Sequence, residues 1–108
     1  MGDPETEVVM PRLKSDLIDL FLKMESGGLD EVEVKLDERA AATVVLVSGG
    51  YPGDFQKGKT IKGLNEQFST KTRVFHAGIS AKGDELVTSG GRVAAITSYG
   101  NTITDAVA

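Results

Sequence analysis

The apolar positions of this chain change rhythm, and each rhythm predicts a different element. Between Val9 and Glu25, Leu13, Leu17, Leu20, Phe21 and Met24 recur at spacings of four, three, one and three. That makes one apolar helical stripe, with Arg12, Asp16, Asp19 and Lys23 on the other side. One long helix is therefore expected. It starts near Pro11, which a first turn tolerates, and stops at Gly27-Gly28, since glycine suits a left-handed cap. The stripe is expected to be core. Residues 1–8 are mostly polar, hold Pro4 and read as a loop.

From Val32 the period becomes two. Val32, Val34 and Leu36 alternate with Glu33 and Lys35, predicting a strand with one wet face. After a polar break at 37–39, Ala40 to Val47 runs small and then β-branched, which predicts a strand covered on both faces. Thr60 to Phe68 reads as a short helical piece weakened by Gly63. Strands are predicted at Thr72 to Ile79, Glu85 to Thr88 and Arg92 to Tyr99, with turns at Lys82-Gly83-Asp84 and Gly90-Gly91. Asn101 is the expected N-cap of a final short helix. A helix followed by hairpin-joined strands predicts an α+β fold: a largely antiparallel sheet with the N-terminal helix packed on it.

Composition narrows the function. The 108 residues suffice for one core. The formal net charge of −4 argues against nucleic acid as a main partner. There is no cysteine, hence no disulfide, thiol nucleophile or cysteine-bound metal, and the single histidine, His76, excludes a His-rich metal site within one chain. No apolar run approaches the roughly 20 residues of a membrane span. The acidic start resembles no signal peptide, so a cytoplasmic location is the expectation.

Ser48 to Thr60 is the densest motif, with four glycines and Pro52 in thirteen residues after an apolar strand. Gly53 to Thr60 matches the P-loop pattern G-x-x-x-x-G-K-[ST]. In a P-loop, backbone N–H groups at a helix start cradle phosphates, Lys59 meets the terminal phosphate and Thr60 the magnesium. Here the following helix is weak and the next elements read as hairpins, so the competing reading is a loop rich in turn formers.

Four stretches in order carry a resemblance. They are Gly2-Asp3-Pro4-Glu5-Thr6-Glu7, then Arg12-Leu13-Lys14-Ser15-Asp16-Leu17, then Val47 to Gly53 with Lys57-Gly58 behind it, and finally Val74 to Gly78 with Leu86 to Val93. Together they resemble the phosphoribosylamine–glycine ligases, ATP-grasp enzymes of purine synthesis. The resemblance implies that residues 1–8 end an ATP-grasp domain and residues 9–108 form a C-terminal domain cut within its last helix. Family members join glycine to phosphoribosylamine using ATP and magnesium or manganese. The resemblance places the metal-binding Glu and Asn upstream of Met1. These residues alone are therefore expected to be inactive, to bind no cofactor, and to have the missing ATP-grasp and N-terminal domains as partners. Ile79 departs from the threonine usual in the family.

The resemblance also implies a set of substrate-binding residues. Asp3 and Glu5 would border the pocket, where a carboxylate can hold an amine or ribose hydroxyls; the alternative for Asp3 is an Asp-Pro turn. Arg92 would grip a ribose phosphate through its planar guanidinium, with His76 reaching the same group; the alternatives are a hairpin arginine and a structural histidine. Gly49 and Gly50 would let backbone approach a ligand, or simply serve a turn, and Tyr51 would shape the wall. No catalytic residue is expected among the 108. Two rival readings remain: a non-catalytic module that binds or self-associates through exposed surface, and a P-loop nucleotide binder through Lys59.

Overall fold

The computed structural model describes residues 2–64, 66 and 68–108. They form two compact units, 1–39 and 40–108, whereas the resemblance places a domain boundary after residue 8.

The first unit is built from short pieces. Helix α1 spans Thr6–Val9, a 3-10 turn follows at Met10–Arg12, and helix α2 spans Leu17–Ser26. The one long helix of the sequence reading is thus two short ones, and part of the expected loop at 1–8 is helical. Asp16 is the reason for the break. Its backbone is extended, and its side chain accepts from the N–H groups of Ile18 (2.8 Å) and Asp19 (3.2 Å). An N-cap must leave the helix to do this. Gly27 ends α2 in the left-handed region at φ 75°, as the sequence predicts.

The expected strand at Val32–Leu36 is reduced to a bridge between Leu36 and Leu13. Around it, Lys14 N–H donates to Lys35 O at 2.9 Å and Asp37 N–H to Arg12 O at 2.6 Å. A strand needs a continuous partner, and α2 turns the chain away after Ser15. The expected helix core is also corrected: Phe21 is 54% and Met24 57% exposed, and α2 has no buried residue.

The second unit holds the sheet. Strands β1 (Ala40–Val47), β2 (Thr72–His76) and β5 (Arg92–Gly100) form an antiparallel sheet in the order β1-β5-β2, while β3 (Ile79–Lys82) and β4 (Glu85–Thr88) form a separate hairpin. The predicted strand at Thr72–Ile79 is therefore split at Ala77-Gly78. The turn signal at Lys82-Gly83-Asp84 holds, since Lys82 pairs with Glu85. Central β5 supplies most of the core: Val93, Ala94, Ala95 and Tyr99 are buried, and Thr97 is fully so. The Thr97 hydroxyl lies 2.6 Å from that of Thr43 on β1, so burying it leaves no orphan polar group.

β1 is not covered on both faces: Val44, Leu46 and Val47 are about half exposed. It pairs on one side with β5, and no further layer of described residues buries these three. Helix α3 (Ile103–Val107) closes the unit. Its N-cap is Thr102, one residue after the expected Asn101, in a reciprocal capping box with Asp105. The expected helix between Thr60 and Phe68 is absent from the described residues of that stretch; its positions 65 and 67 lie outside them.

Candidate functional site

The site is best built from Ser48, where the apolar strand β1 gives way to glycine. Ser48 is buried, and its N–H donates to Gly91 O at 2.7 Å while its hydroxyl donates to Gly90 O at 2.9 Å. Tyr51 N–H then donates back to Ser48 O at 3.0 Å, closing a turn. Gly50, at φ 101°, is needed in that turn, because a β-carbon there would strike the Asp54 carbonyl. Gly49 differs: a β-carbon at that position meets open space. The two glycines taken together in the sequence reading therefore have separate reasons.

The Tyr51 ring lies on Gly91, where any side chain would overlap it. Phe55 meets Tyr51 edge-on, with centroids 6.2 Å apart and planes at 61°. Lys57 carries its ammonium 5.9 Å from the Phe55 ring centre. Gly78 and Gly90 also approach backbone to backbone, and Gly78 N–H donates to Arg92 O at 2.8 Å. The glycines at 50, 78, 90 and 91 thus serve close packing between two turns. Beside them lies a shallow depression of about 370 Å³ lined by Gly49, Asp54, Phe55, Gln56 and Lys59.

Arg92 opens β5 at this end of the sheet and is partly buried; His76 ends β2 opposite Ala94 and is exposed. A register irregularity between Leu46 and Val47 falls at this end, placing Val47 opposite Arg92. Such irregularities re-aim side chains. The fold therefore brings Gly49, Gly50, Tyr51, Arg92 and His76 to one end of the second unit. Asp3 and Glu5 belong to the first unit, both exposed, with Glu5 as the residue before α1.

Ser48, Phe55 and Gly91 had no site role in the sequence reading. A small polar residue between an apolar strand and Gly-Gly was the available signal for Ser48. Nothing local in sequence pairs residue 48 with residues 90 and 91.

The P-loop reading is overturned. Gly58 N–H donates to Thr88 O at 2.6 Å and Lys59 N–H to Thr88 Oγ1 at 3.1 Å, while Thr88 N–H donates to Lys59 O at 2.9 Å. The Thr60 hydroxyl donates to a Glu85 carboxylate oxygen at 3.3 Å. These groups extend the β4 edge, and no helix starts at Thr60 to aim amides at a phosphate. Among the described residues, no three His, Asp or Glu side chains stand together as a metal site. The loop thus offers no P-loop cradle for ATP phosphates. No described helix is long and apolar enough to cross a membrane.

The fold and its clasped turns define a small α+β module in which Gly50, Gly78, Gly90 and Gly91 serve close packing. Residues 41–108 match the family model described as "Phosphoribosylglycinamide synthetase, C domain". The chain belongs to this family. It is 52% identical over 105 residues to the phosphoribosylamine–glycine ligase of Vibrio cholerae serotype O1, covering 97% of this chain and 24% of that protein. The ligase of the same name from Halalkalibacterium halodurans is 49% identical over 107 residues, covering 99% and 24%. The crystal structure of phosphoribosylamine–glycine ligase from Thermotoga maritima matches with a TM-score of 0.75 at 36% identity, covering 98% of this chain and 25% of that one. The chain thus spans about a quarter of the length of the relatives it matches.

Proposed function

We propose that this chain is the C-terminal part of a cytoplasmic phosphoribosylamine–glycine ligase, which joins glycine to phosphoribosylamine with ATP in purine synthesis. The observation that carries this reading is the family match through residues 41–108, which takes in the whole clasp and both His76 and Arg92. In this reading residues 1–8 close the ATP-grasp domain and residues 9–108 wall the substrate side of the active site. The ATP and magnesium or manganese sites lie on the preceding domains, which are its partners.

Arg92 and His76 supply the chemistry for a ribosyl phosphate: a planar cation that can donate two parallel hydrogen bonds, and an imidazole that can donate a third. Tyr51, Gly49 and Gly50 form the wall beside them. Asp3 and Glu5 offer carboxylates to an amine or to ribose hydroxyls. With the nucleotide and metal groups elsewhere, these 108 residues have no turnover of their own.

The test is ADP release with glycine and phosphoribosylamine. The chain alone is expected to give none. Mixed with a Vibrio cholerae ligase lacking its own matching quarter, it is expected to restore turnover, and Arg92→Ala is expected to abolish the rescue. Turnover by the chain alone, or a rescue indifferent to Arg92, overturns the reading.

The exposed apolar residues of α2 and β1 favour a second reading, a module that associates through them. Light scattering across a concentration series distinguishes it; a monomer at every concentration removes it.

A further inference from the structure

We infer that Tyr51 is a positioning residue that sets the place of Arg92 through Gly91; this rests on the proposed phosphate role of Arg92. Three observations carry it. First, the Tyr51 ring occupies the space above Gly91 that any side chain would fill, and Gly91 is the residue before Arg92. Second, the carbonyls on both sides of that contact are tied down. Gly90 O takes the Ser48 hydroxyl and Gly91 O takes the Ser48 N–H, at 2.9 and 2.7 Å. Third, the Arg92 carbonyl is held on its other side by Gly78 N–H at 2.8 Å.

The backbone leading into Arg92 is therefore clamped between the glycine-rich loop and the Gly78 crossing. Of the loop side chains, Tyr51 presses most closely on Gly91, and Phe55 reaches the same position and meets the Tyr51 ring edge-on. Tyr51 is itself 39% exposed, so its ring contributes less to a core than to this contact. Removing the ring frees the Gly90–Gly91 turn to move and spreads the guanidinium over more positions. A bidentate grip on phosphate loses most from such spreading, since both bonds need one fixed plane.

The test uses the isotope-labelled full chain, titrated separately with inorganic phosphate and ribose 5-phosphate and followed by NMR at the Arg92 side-chain and backbone N–H. The parent is expected to show Gly91 α-protons in contact with the Tyr51 ring edge as nuclear Overhauser effects, and saturable shifts at Arg92. Tyr51→Leu is expected to lose the Gly91 ring contact and weaken binding roughly tenfold, the scale of one lost charge-assisted hydrogen bond, while sheet amide shifts and the thermal midpoint change little. Tyr51→Phe, which keeps the ring, is expected to restore both signals. Gly91→Ala, whose β-carbon displaces the same ring, is expected to repeat the loss. Phosphate binding by Tyr51→Leu equal to the parent overturns the positioning role and leaves the phosphate reading standing. A parent that binds neither phosphate nor ribose 5-phosphate overturns the phosphate reading and the positioning role with it, even where the Gly91–Tyr51 contact is present.

Discussion

In residues 40–108 the buried side chains are mainly apolar, whereas in residues 1–39 the one buried among the described residues is a charge, Asp37. The second unit is a sheet around β5, with Val93, Ala94, Ala95 and Tyr99 inside and Thr97 paired to Thr43. The first is organised by caps, backbone bonds and an ion pair. Arg39 donates through Nε to Asp37 Oδ1 at 3.0 Å and through Nη2 to Oδ2 at 2.7 Å, and Arg12 donates to the Asp37 carbonyl at 3.0 Å. Many of its apolar side chains lie outside: Ile18, Phe21, Leu22 and Met24 are all more than half exposed, while Leu13, Leu17 and Leu20 are only partly buried. The contrast teaches that an apolar stripe predicts a face, while burial depends on a second layer to cover it.

The sharpest way to break this comparison is a pair of truncations read by urea unfolding. Tyr99→Ala is expected to cost about 3 kcal/mol or more, because it empties a buried aromatic site. Phe21→Ala, at an exposed site, is expected to stay within about 0.5 kcal/mol. Equal costs would erase the distinction between the units. Next in size is the cap of α2. Asp16→Ala is expected to cost about 1 kcal/mol and to fray α2 without moving β5 amides. A global loss of sheet signals in that variant would mean that the units unfold together.

A similar effect is expected from Ser48→Ala, about 1 kcal/mol for the hydrogen bond to Gly90 O. Amide exchange should rise at Gly50, Tyr51 and Gly91 and not in α2; faster exchange confined to α2 would refute the clasp. The smallest effect is expected from acid. Hydrogen bonds from the Arg39 guanidinium, then from its N–H, hold the Asp37 carboxyl well below the ordinary carboxylate range, with burial opposing them. A lowered native pKa means that the unfolded state binds the proton more readily. The Asp37 contribution is therefore present above the ordinary carboxylate pKa and fades as pH falls below it. Carbon-detected titration of Asp37, compared with Arg39→Leu, checks this; identical titrations in the two proteins would remove the ion pair from the account.

Particular residues show what could be read without coordinates. The run Ala40–Val47, the turn at Gly83-Asp84, the strand at Arg92 and the stop at Gly27 were legible, because local backbone preference and short-range period decide them. The break at Asp16 was only half legible. An Asp inside a helical pattern fits a polar face as well as a cap, and the choice depends on where its carboxylate points. The strand expected at Val32–Leu36 had the right alternation and lacked a partner.

The sequence by itself determined the α+β class, the antiparallel hairpin signals and, through motifs in fixed order, the family. Those depend on residue type and spacing along the chain. Only the tertiary structure decided that the P-loop letters serve the β4 edge, that β1 and α2 keep apolar surface exposed, and that Ser48 and Tyr51 meet Gly90 and Gly91 some forty residues away in the sequence. These outcomes turn on which backbone groups find partners across long separations, and local spacing carries no record of that.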